Sequence, residues 1–383
     1  MNKYYHNPIN KEFSKEVLFI GDDFGFPAGY SGVARNLFNS LSKRNRALSF
    51  GLFSQGSLKK NPPIPHKSFL RSSKKNFKLL FLILDLINSF FVLRKRNIGT
   101  IHCLVDIYIP LAYLLSKIFK TKLILTIYGT YTIEPYYSIL NPLYKKAFSR
   151  ALYISSISKY TEKRFYEFWG NLNNVEVVYL GADQNIFKPN IEFSKDKYFL
   201  FVGTMKERKG LLPSLQAFQR VLKDRPDYKF YILSEIGFGA SSSSDYLKAI
   251  LEIVNQHPDN ILFMDKVSDS RLVELYQRAT ANVLTSISNK TVFEGFGLIH
   301  VEANLCGCLS IGGIDSPNEE IIKEGKNGFL ANGRDVDSIE RSFRSSIYKV
   351  ENEDLKLIIR NCVEEGKKFT WDKFTTWSQS KYV

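Results

Sequence analysis

The chain alternates between two kinds of segment along almost its whole length, and this alternation constrains the fold more than any other feature. Short runs rich in β-branched and aromatic residues are followed by amphipathic stretches long enough for a helix. This order is typical of βα units on a parallel sheet. The predicted strands of the first half cover residues 17–21, 48–53, 100–104, 123–127, 152–155 and 175–179. Those of the second half cover residues 198–203, 229–233, 261–264, 281–284 and 309–312.

A polar segment separates the two sets of predicted strands. Residues 185–197 contain Pro189 and a run of polar side chains, which is typical of a linker. We therefore predict two doubly wound α/β domains, residues 1–190 and 191–369, followed by a helix over residues 370–383. Ligands of such sheets bind at the carboxyl ends of the strands, so we expect the functional residues in the loops that follow the strands.

Positive charge is concentrated in the first half of the chain. The net charge is +15, of which residues 1–190 contribute 27 − 11 = +16 and residues 191–383 contribute 26 − 27 = −1. This asymmetry favours an anionic partner such as membrane lipid, nucleic acid or an acidic substrate. The alternative is a charge that only keeps the protein soluble.

Simpler features argue against a secreted protein, an integral membrane protein and a coiled coil. Four cysteines are too few for a disulfide scaffold and fit a reducing, cytoplasmic location. The N-terminal residues lack the apolar core of a secretion signal. Residues 78–93 form an apolar run that is too short for a membrane span and contains Asp85.

Two loops that follow predicted strands contain glycine beside a predicted helix start. Gly29, Ser31 and Gly32 precede a helix predicted from Val33, and their small size would let a ligand approach the backbone; a plain tight turn is an equal alternative. After the first strand of the second half, Arg208 and Lys209 precede another helix. Two adjacent cations at the edge of a sheet are suited to bind a diphosphate, although a solvated charged turn is the alternative.

The most informative segment is Glu294-Gly295-Phe296-Gly297-Leu298, with Glu302 four residues further on. The glycines expose backbone amides where a helix starts, which favours an anion. Glu302 follows Glu294 by eight residues, so we expect both on a similar face of one helix, about two turns apart. Two carboxylates beside a phosphate-binding helix start suit a sugar nucleotide. One carboxylate would engage the reacting sugar, and the other would accept hydrogen bonds from the ribose hydroxyls. The alternative is two solvent-facing glutamates.

These segments together resemble the retaining glycosyltransferases of the GT-B fold, especially the family called GT4. Glu294 and Glu302 are similar to its EX7E motif, and Arg208-Lys209-Gly210 resembles its phosphate loop. Four further segments resemble family motifs in the family's order: Ser158-Lys159-Tyr160-Thr161, Val178-Tyr179-Leu180-Gly181-Ala182-Asp183, Glu319-Glu320-Ile321-Ile322 and Phe369-Thr370-Trp371. The resemblance runs from about residue 16 to the end of the chain.

The resemblance implies a fold and a set of roles. It implies two Rossmann-like domains facing a central cleft, an acceptor-binding first domain, a nucleotide-sugar-binding second domain, and a C-terminal helix that crosses back to the first domain. The implied catalytic residues are Glu294, Arg208 and Lys209; the implied donor-binding residues are Gly32, Thr204, Arg208, Lys209, Gly295, Phe296, Gly297, Leu298 and Glu302; the implied sugar or acceptor contacts are Tyr128 and Gly129.

The implied activity is transfer of a sugar from a UDP- or GDP-sugar to a lipid-linked, glycan or other acidic acceptor, with retention and without metal or cofactor. Asp335-Val336-Asp337 has the spacing of a metal-binding D-x-D motif but precedes a predicted helix, and we interpret it as a helix cap. The alternative function is a non-catalytic protein of the same fold that binds anionic surfaces or nucleic acid. The sequence has no nucleic-acid-binding motif, and we do not expect nucleic acid as a partner.

The chain departs from the family pattern at three places. Tyr128 occupies a position where relatives often have His, and Thr204 one where many have Arg; Arg208 would supply that guanidinium. Residues 285–293 form a longer loop than usual, which we relate to the acceptor.

Residues 58–96 combine ten Lys or Arg with one acid, Asp85. On a helical wheel Lys78, Asp85, Ser89 and Arg96 share one narrow face, and the remaining positions are nearly all apolar. A buried helix with a polar stripe is one interpretation. The other is a peripheral location at the inner face of an anionic membrane.

Overall fold

The computed structural model describes residues 15–21, 33, 37, 47–53, 66–67, 78–234, 244–265 and 267–382. They form two compact units. The first contains the described residues up to Ile157, Glu162–Val178 and the residues from Asp372 onward, and the second contains Ser158–Thr161 and Tyr179–Trp371. Gly29, Ser31 and Gly32 lie outside the described residues, as do all the basic residues between positions 59 and 75 except Lys67.

Within the described residues, the first unit contains a parallel sheet of seven strands. The strands are β1 (Glu16–Gly21), β2 (Ala47–Phe53), β3 (His66–Lys67), β4 (Ile98–Cys103), β5 (Lys122–Ile127), β6 (Tyr153–Ser156) and β7 (Val175–Val177), in the order β3-β2-β1-β4-β5-β6-β7. Its helices are α1 (Lys78–Leu93), α2 (Ile109–Ile118), α3 (Thr130–Ile133), α4 (Asn141–Arg150) and α5 (Lys159–Trp169), the last counted with this unit from Glu162.

The described part of the second unit contains a parallel sheet of six strands. They are β8 (Tyr198–Val202), β9 (Lys229–Leu233), β10 (Ile261–Met264), β11 (Ala281–Leu284), β12 (Leu309–Gly313) and β13 (Gly328–Ala331), in the order β10-β9-β8-β11-β12-β13. The helices are α6 (Leu211–Leu222), α7 (Ser244–Gln256), α8 (Asp269–Arg278), α9 (Leu298–Leu305), α10 (Asn318–Ile321), α11 (Val336–Asn352) and α12 (Leu355–Gly366). Helix α13 (Trp371–Tyr382) belongs to the first unit from Asp372 onward.

The central strands are buried on both faces, which explains their continuous apolar sequences. Phe199, Leu200 and Phe201 of β8 are fully buried, and alternate residues face the helices on opposite sides of the sheet. All eleven predicted strands are present, and the predicted fold of two Rossmann-like α/β domains is confirmed. Strands β3 and β13 were not predicted. β3 has only two residues and β13 is a four-residue run that begins with glycine, and segments this short carry almost no periodic signal.

The units divide at Val178 and Tyr179, before the polar linker on which the sequence-based boundary at residue 190 rested. Aromatic packing explains the difference. The ring of Tyr179 contacts Phe296 and Phe369, with centroid distances of 6.0 and 5.3 Å, and Phe187 packs against Tyr276 at 6.4 Å. The segment that follows β7 therefore belongs to the second unit.

Helix α13 is bound to the first unit by polar contacts with β4 and β7. The side chains of Trp377 and Lys381 donate to the carboxylate of Glu176 at 2.6 and 2.8 Å, and the Tyr382 hydroxyl lies 2.6 Å from Nδ1 of His102. Within the described ranges, no helix combines the length and the hydrophobicity that a membrane span requires.

Candidate functional site

Three of the predicted site residues, Arg208, Lys209 and Glu294, lie in loops of the second unit at the point where its strand order reverses. Strands β9 and β10 extend the sheet on one side of β8, and β11, β12 and β13 extend it on the other. The loops that follow β8 and β11 begin at the same edge of the sheet, beside this point, which is the usual ligand site of doubly wound sheets. Arg208 and Lys209 lie in the first loop and Glu294 in the second.

Close backbone contacts hold these two loops together. Gly210 has a φ of +71°, and a Cβ atom there would lie 2.2 Å from the carbonyl oxygen of Thr285. Only glycine combines this left-handed conformation with such a close approach. Within the cation pair itself, the backbone carbonyl of Arg208 accepts from the amide of Ile287 at 2.8 Å. The two cations are thus held at a defined position beside β11.

Arg208 and Lys209 share one carboxylate oxygen of Glu294. Nη1 of Arg208 and Nζ of Lys209 each lie 2.5 Å from Oε2 of Glu294, and the three side chains are 13–23% exposed. Burial alone would raise the pKa of Glu294, but the charges and hydrogen bonds of the two cations lower it to about 2. Burial lowers the pKa of Lys209, and the charge of Glu294 opposes this shift. Glu294 is therefore ionised throughout the physiological range.

The segment after Glu294 corrects one expectation. Helix α9 begins at Leu298, and its N-cap Gly297 is left-handed with a φ of 88°. Glu294 lies before this turn, so it does not share a helix face with Glu302 as the eight-residue spacing predicted. A Cβ atom on Gly297 would lie 2.5 Å from Nδ2 of Asn318, so the turn is tightly enclosed. Phe296 is buried, and Gly295 and Leu298 are partly exposed at the start of the helix.

Glu302 has a different environment on helix α9. Burial raises the pKa of its carboxyl group to about 8, and the hydroxyl of Tyr276, at 3.5 Å from Oε2, offsets this only in part. The charge of Asp269 adds to the increase. Near neutral pH Glu302 is therefore mostly protonated, whereas Glu294 is ionised.

Residues 158–161 support the Glu294 loop, a role that local sequence patterns did not reveal. The hydroxyls of Ser158 and Thr161 donate to the carbonyl oxygen of Gly295 at 2.8 and 3.0 Å. The carboxylate of Glu320 accepts from the amides of Lys159 and Tyr160 at 3.0 and 2.8 Å. These contacts connect segments more than 130 residues apart, and only the resemblance pointed to them.

Tyr128 and Gly129 lie in the first unit, at the carboxyl end of β5. Their amides donate to Oγ1 of Thr132 at 3.3 and 3.4 Å, and that hydroxyl donates to Oδ1 of Asp106 at 2.5 Å. Asp106 is fully buried after β4, next to the reversal of strand order between β1 and β4, and burial raises its pKa to about 7. The sequence analysis missed Asp106 and Thr132, because a lone acid and a lone threonine carry no motif.

Asp335-Val336-Asp337 lies at a helix start in the second unit. The Asp335 side chain accepts from the amide of Asp337 at 2.9 Å at the start of α11, so the helix-cap interpretation is confirmed. In the described parts of the chain, no group of three or more His, Cys, Asp or Glu could hold a metal ion. A cavity of about 780 Å³ lies instead beside α6, and none of the predicted donor-binding residues lines it.

Comparison with known proteins bears on the fold of both units and on the sequence of the second. Residues 182–359 match the family model Glycosyl transferases group 1. The serotype-specific mannosyltransferase WbdA of Escherichia coli is 32% identical over 146 residues, which are 34% of this chain and 16% of that protein, so the chain spans about a sixth of that relative. An uncharacterized glycosyltransferase of Methanocaldococcus jannaschii, MJ1178, is 24% identical over 89% of this chain and 91% of its own.

A solved structure extends the similarity to both units. The Anabaena protein Alr3699/HepE, in complex with UDP and glucose, has a TM-score of 0.74 at 16% identity and covers 96% of this chain and 99% of its own. At this identity the likeness is one of fold. The chain therefore has two Rossmann-like domains that match the GT-B fold, and within the second unit residues 182–359 are similar to the Glycosyl transferases group 1 model.

Proposed function

We propose that this protein is a retaining glycosyltransferase of the GT4 type that transfers a sugar from a nucleotide-sugar donor. The observation that carries the proposal is the contact of Arg208 and Lys209 with Glu294 at the strand-order reversal of the second sheet. Two partly buried cations at this place suit a diphosphate, and the buried carboxylate between them suits the hydroxyls of the attached sugar. The UDP complex of the Anabaena protein supports a nucleotide donor.

The chemistry follows from where charge develops. The bond between the sugar C1 and the diphosphate oxygen breaks, and its electron pair stays on the phosphate. The acceptor hydroxyl oxygen bonds to C1 on the same face, and its proton passes to the departing phosphate. Arg208, Lys209 and the amides of Gly295–Leu298 stabilise the growing negative charge, which is electrostatic catalysis. We propose that these groups act without a metal ion or cofactor.

Glu294 and Glu302 have separate roles in this proposal. A diphosphate competes with Glu294 for the two cations, so the carboxylate is positioned to accept hydrogen bonds from the donor sugar. Glu302 lies about one turn into α9 and contacts the ribose. Tyr128 and Gly129, which the first unit holds through Thr132, contribute sugar or acceptor contacts.

The acceptor is proposed as lipid-linked, glycan or otherwise acidic, with the protein cytoplasmic and peripheral at the inner membrane face. The excess charge of the first half supports an acidic acceptor. The WbdA relative, by its name a mannosyltransferase, supports mannose among the sugars to test. The competing function, a non-catalytic binder of anionic surfaces or nucleic acid, predicts no preference for sugar nucleotides.

A donor screen tests the proposal. A panel of UDP- and GDP-sugars is first compared by thermal shift, because a ligand that binds the folded state raises the unfolding midpoint. Donors that bind are then tested for hydrolysis or transfer, with and without chelator. Stabilisation by one donor class and turnover that survives the chelator are expected. Equal response to nucleotides and to nucleic acid, without turnover, would instead favour the competing function.

A further inference from the structure

Helix α1 buries polar side chains and exposes large apolar ones. Its buried positions are Leu82, Asp85, Ser89 and Leu93, so two of the four residues of the polar stripe, Asp85 and Ser89, point inward. Its exposed large apolar side chains are Leu79, Leu80, Ile83, Leu84, Ile87, Phe90, Phe91 and Val92, each 36–57% exposed. Surface helices normally have the opposite arrangement. This outer face of α1, called the apolar face below, is a contiguous hydrophobic surface of the kind that marks an interaction site.

The neighbouring helix extends the apolar face at one end. Helix α2 packs against α1, and Phe119, just after α2, stacks on Phe90 with a centroid distance of 6.1 Å. Ile118 at the end of α2 is 44% exposed. The guanidinium of Arg94, just after α1, lies 5.3 Å from the ring centroid of Phe91.

A basic groove lies on the other side of α2, between α2 and α4. It has a volume of about 550 Å³ and is lined by Tyr113, Lys117, Lys145, Lys146, Ser149 and Arg150. Four of these six residues are cationic. Within residues 78–150, ten Lys or Arg face three acids, of which Asp85 and Asp106 are buried. Hydrophobic surface and positive charge thus lie side by side on one helical layer.

We propose that this layer docks on a bilayer that contains anionic lipid, with the apolar face of α1 among the acyl chains and the basic groove on lipid phosphates. The combination of a hydrophobic face with flanking Lys and Arg is the chemistry of helices that lie in the membrane interface. Helix α1 has 16 residues, about 24 Å at 1.5 Å per residue, which suits a helix lying in the interface rather than crossing it.

Charge decides between a bilayer and a second copy of the chain. Two copies that met through this surface would bring their cations together, and like charges at an interface oppose association. An anionic bilayer offers the opposite charge beside a hydrophobic phase. The proposal concerns the first unit alone: it assigns the proposed peripheral location to particular residues, and it does not depend on the proposed transfer reaction.

Flotation of the full chain with vesicles tests the proposal. The vesicles contain phosphatidylcholine alone or with phosphatidylglycerol, at low and high salt. We expect binding to the anionic vesicles that high salt weakens. Leu80→Gln/Ile83→Gln/Ile87→Gln/Phe91→Gln is expected to reduce binding by about a hundredfold, because four apolar side chains no longer enter the acyl region. Lys145→Glu/Lys146→Glu is expected to reduce binding to anionic vesicles by about tenfold or more and to weaken the salt dependence.

The matched control is Tyr348→Gln/Leu357→Gln, which removes two exposed apolar side chains from the second unit and should leave binding unchanged. Circular dichroism and the unfolding midpoint establish that each variant is folded. Equal binding to neutral and anionic vesicles, or full binding by the four-fold Gln variant, would overturn the proposal. So would a concentration-dependent dimer that this variant abolishes, because a second copy would then cover the apolar face.

Discussion

Glu294 and Glu302 carry the same side chain, but their surroundings hold them in opposite protonation states near neutral pH. Two cations lower the pKa of Glu294 to about 2, whereas burial raises that of Glu302 to about 8. Groups whose environments separate their pKa values generally have separate tasks. An ionised carboxylate suits strong hydrogen bonds from sugar hydroxyls, whereas a protonated one both donates and accepts.

Removing the cation pair should weaken binding of the nucleoside diphosphate itself. For Arg208→Ala/Lys209→Ala we expect a loss of about 2 kcal/mol or more, roughly thirtyfold in Kd by calorimetry, because charge-assisted hydrogen bonds to phosphate are lost. Lys248→Ala, at an exposed site on α7, is the control and should bind normally. Since Glu294 would be left without its partners, the triple variant with Glu294→Gln checks that misfolding is not the cause. Unchanged diphosphate affinity would place the phosphate site elsewhere.

The two glutamates should separate in steady-state kinetics. Glu294→Gln should mainly lower kcat, by about tenfold or more, because its partner is the sugar at the reacting centre. Glu302→Gln should mainly raise KM for the donor, because its partner is the ribose. The isosteric Gln preserves packing at both sites. Near-native values for both variants would refute the assigned roles.

Donor affinity should also depend on pH through Glu302. Its carboxyl group accepts hydrogen bonds best when ionised, so affinity should rise as pH increases through about 8. Measuring the Kd of the nucleotide between pH 6.5 and 9 by calorimetry tests this. Glu302→Gln has no titrating group here and should lose the rise. A rise that persists in this variant would assign the dependence to another group.

At the scale of the element, sequence periodicity located the strands but not what lies against them. Strands β8, β11 and β12 were predictable because buried parallel strands are nearly continuous apolar runs. The wheel of α1 likewise identified the stripe with Asp85 and Ser89, but which side of a helix is buried depends on its neighbours. The same limit applies to Glu294, whose separation from α9 depends on the left-handed conformation of Gly297.

The tight turn between β8 and α6 has no room for a side chain at Gly210. Gly210→Ala should destabilise the second unit by more than the ~1 kcal/mol of a left-handed alanine, because its Cβ would also clash with the carbonyl of Thr285. Nucleotide binding should weaken too, since the turn positions Lys209. Gly325→Ala is a matched control: its φ is +70° and nothing lies within 4 Å of the added Cβ. Chemical denaturation should rank the two variants, and equal losses would show that the contact with Thr285 is unimportant.

For the whole molecule, long-range contacts decide which residues belong to which unit. The polar composition of residues 185–197 predicted a linker between the units. The aromatic contacts of Tyr179 and Phe187 instead assign the chain from Tyr179 onward, including this segment, to the second unit. Ser158 and Thr161 follow a strand of the first sheet yet bind Gly295. Such pairings depend on the completed fold, so a local sequence pattern cannot supply them without a resemblance to a family.

The hydrogen bond between Tyr382 and His102 connects residues 280 positions apart and holds α13 to β4. Nε2 of His102 lies 2.8 Å from Oγ1 of Thr126, so the ring is enclosed by polar partners, and burial lowers its pKa to about 3. Tyr382→Phe should cost the first unit about 1–3 kcal/mol, because it leaves Nδ1 of a buried ring without its partner. Tyr348→Phe, at a site 64% exposed, should have little effect.

The pH dependence distinguishes this bond from simple packing. His102 is neutral in the folded state and has an ordinary pKa near 6.5 when unfolded, so its contribution favours folding above pH 6.5 and is lost as pH falls from about 6.5 toward 3. His102→Gln should reduce this acid sensitivity, whereas Tyr382→Phe should retain it while lowering stability at every pH. Urea denaturation between pH 4 and 8 measures both effects. If Tyr382→Phe unfolds with native stability, α13 is held to the first unit by its remaining contacts, such as those of Glu176 with Trp377 and Lys381.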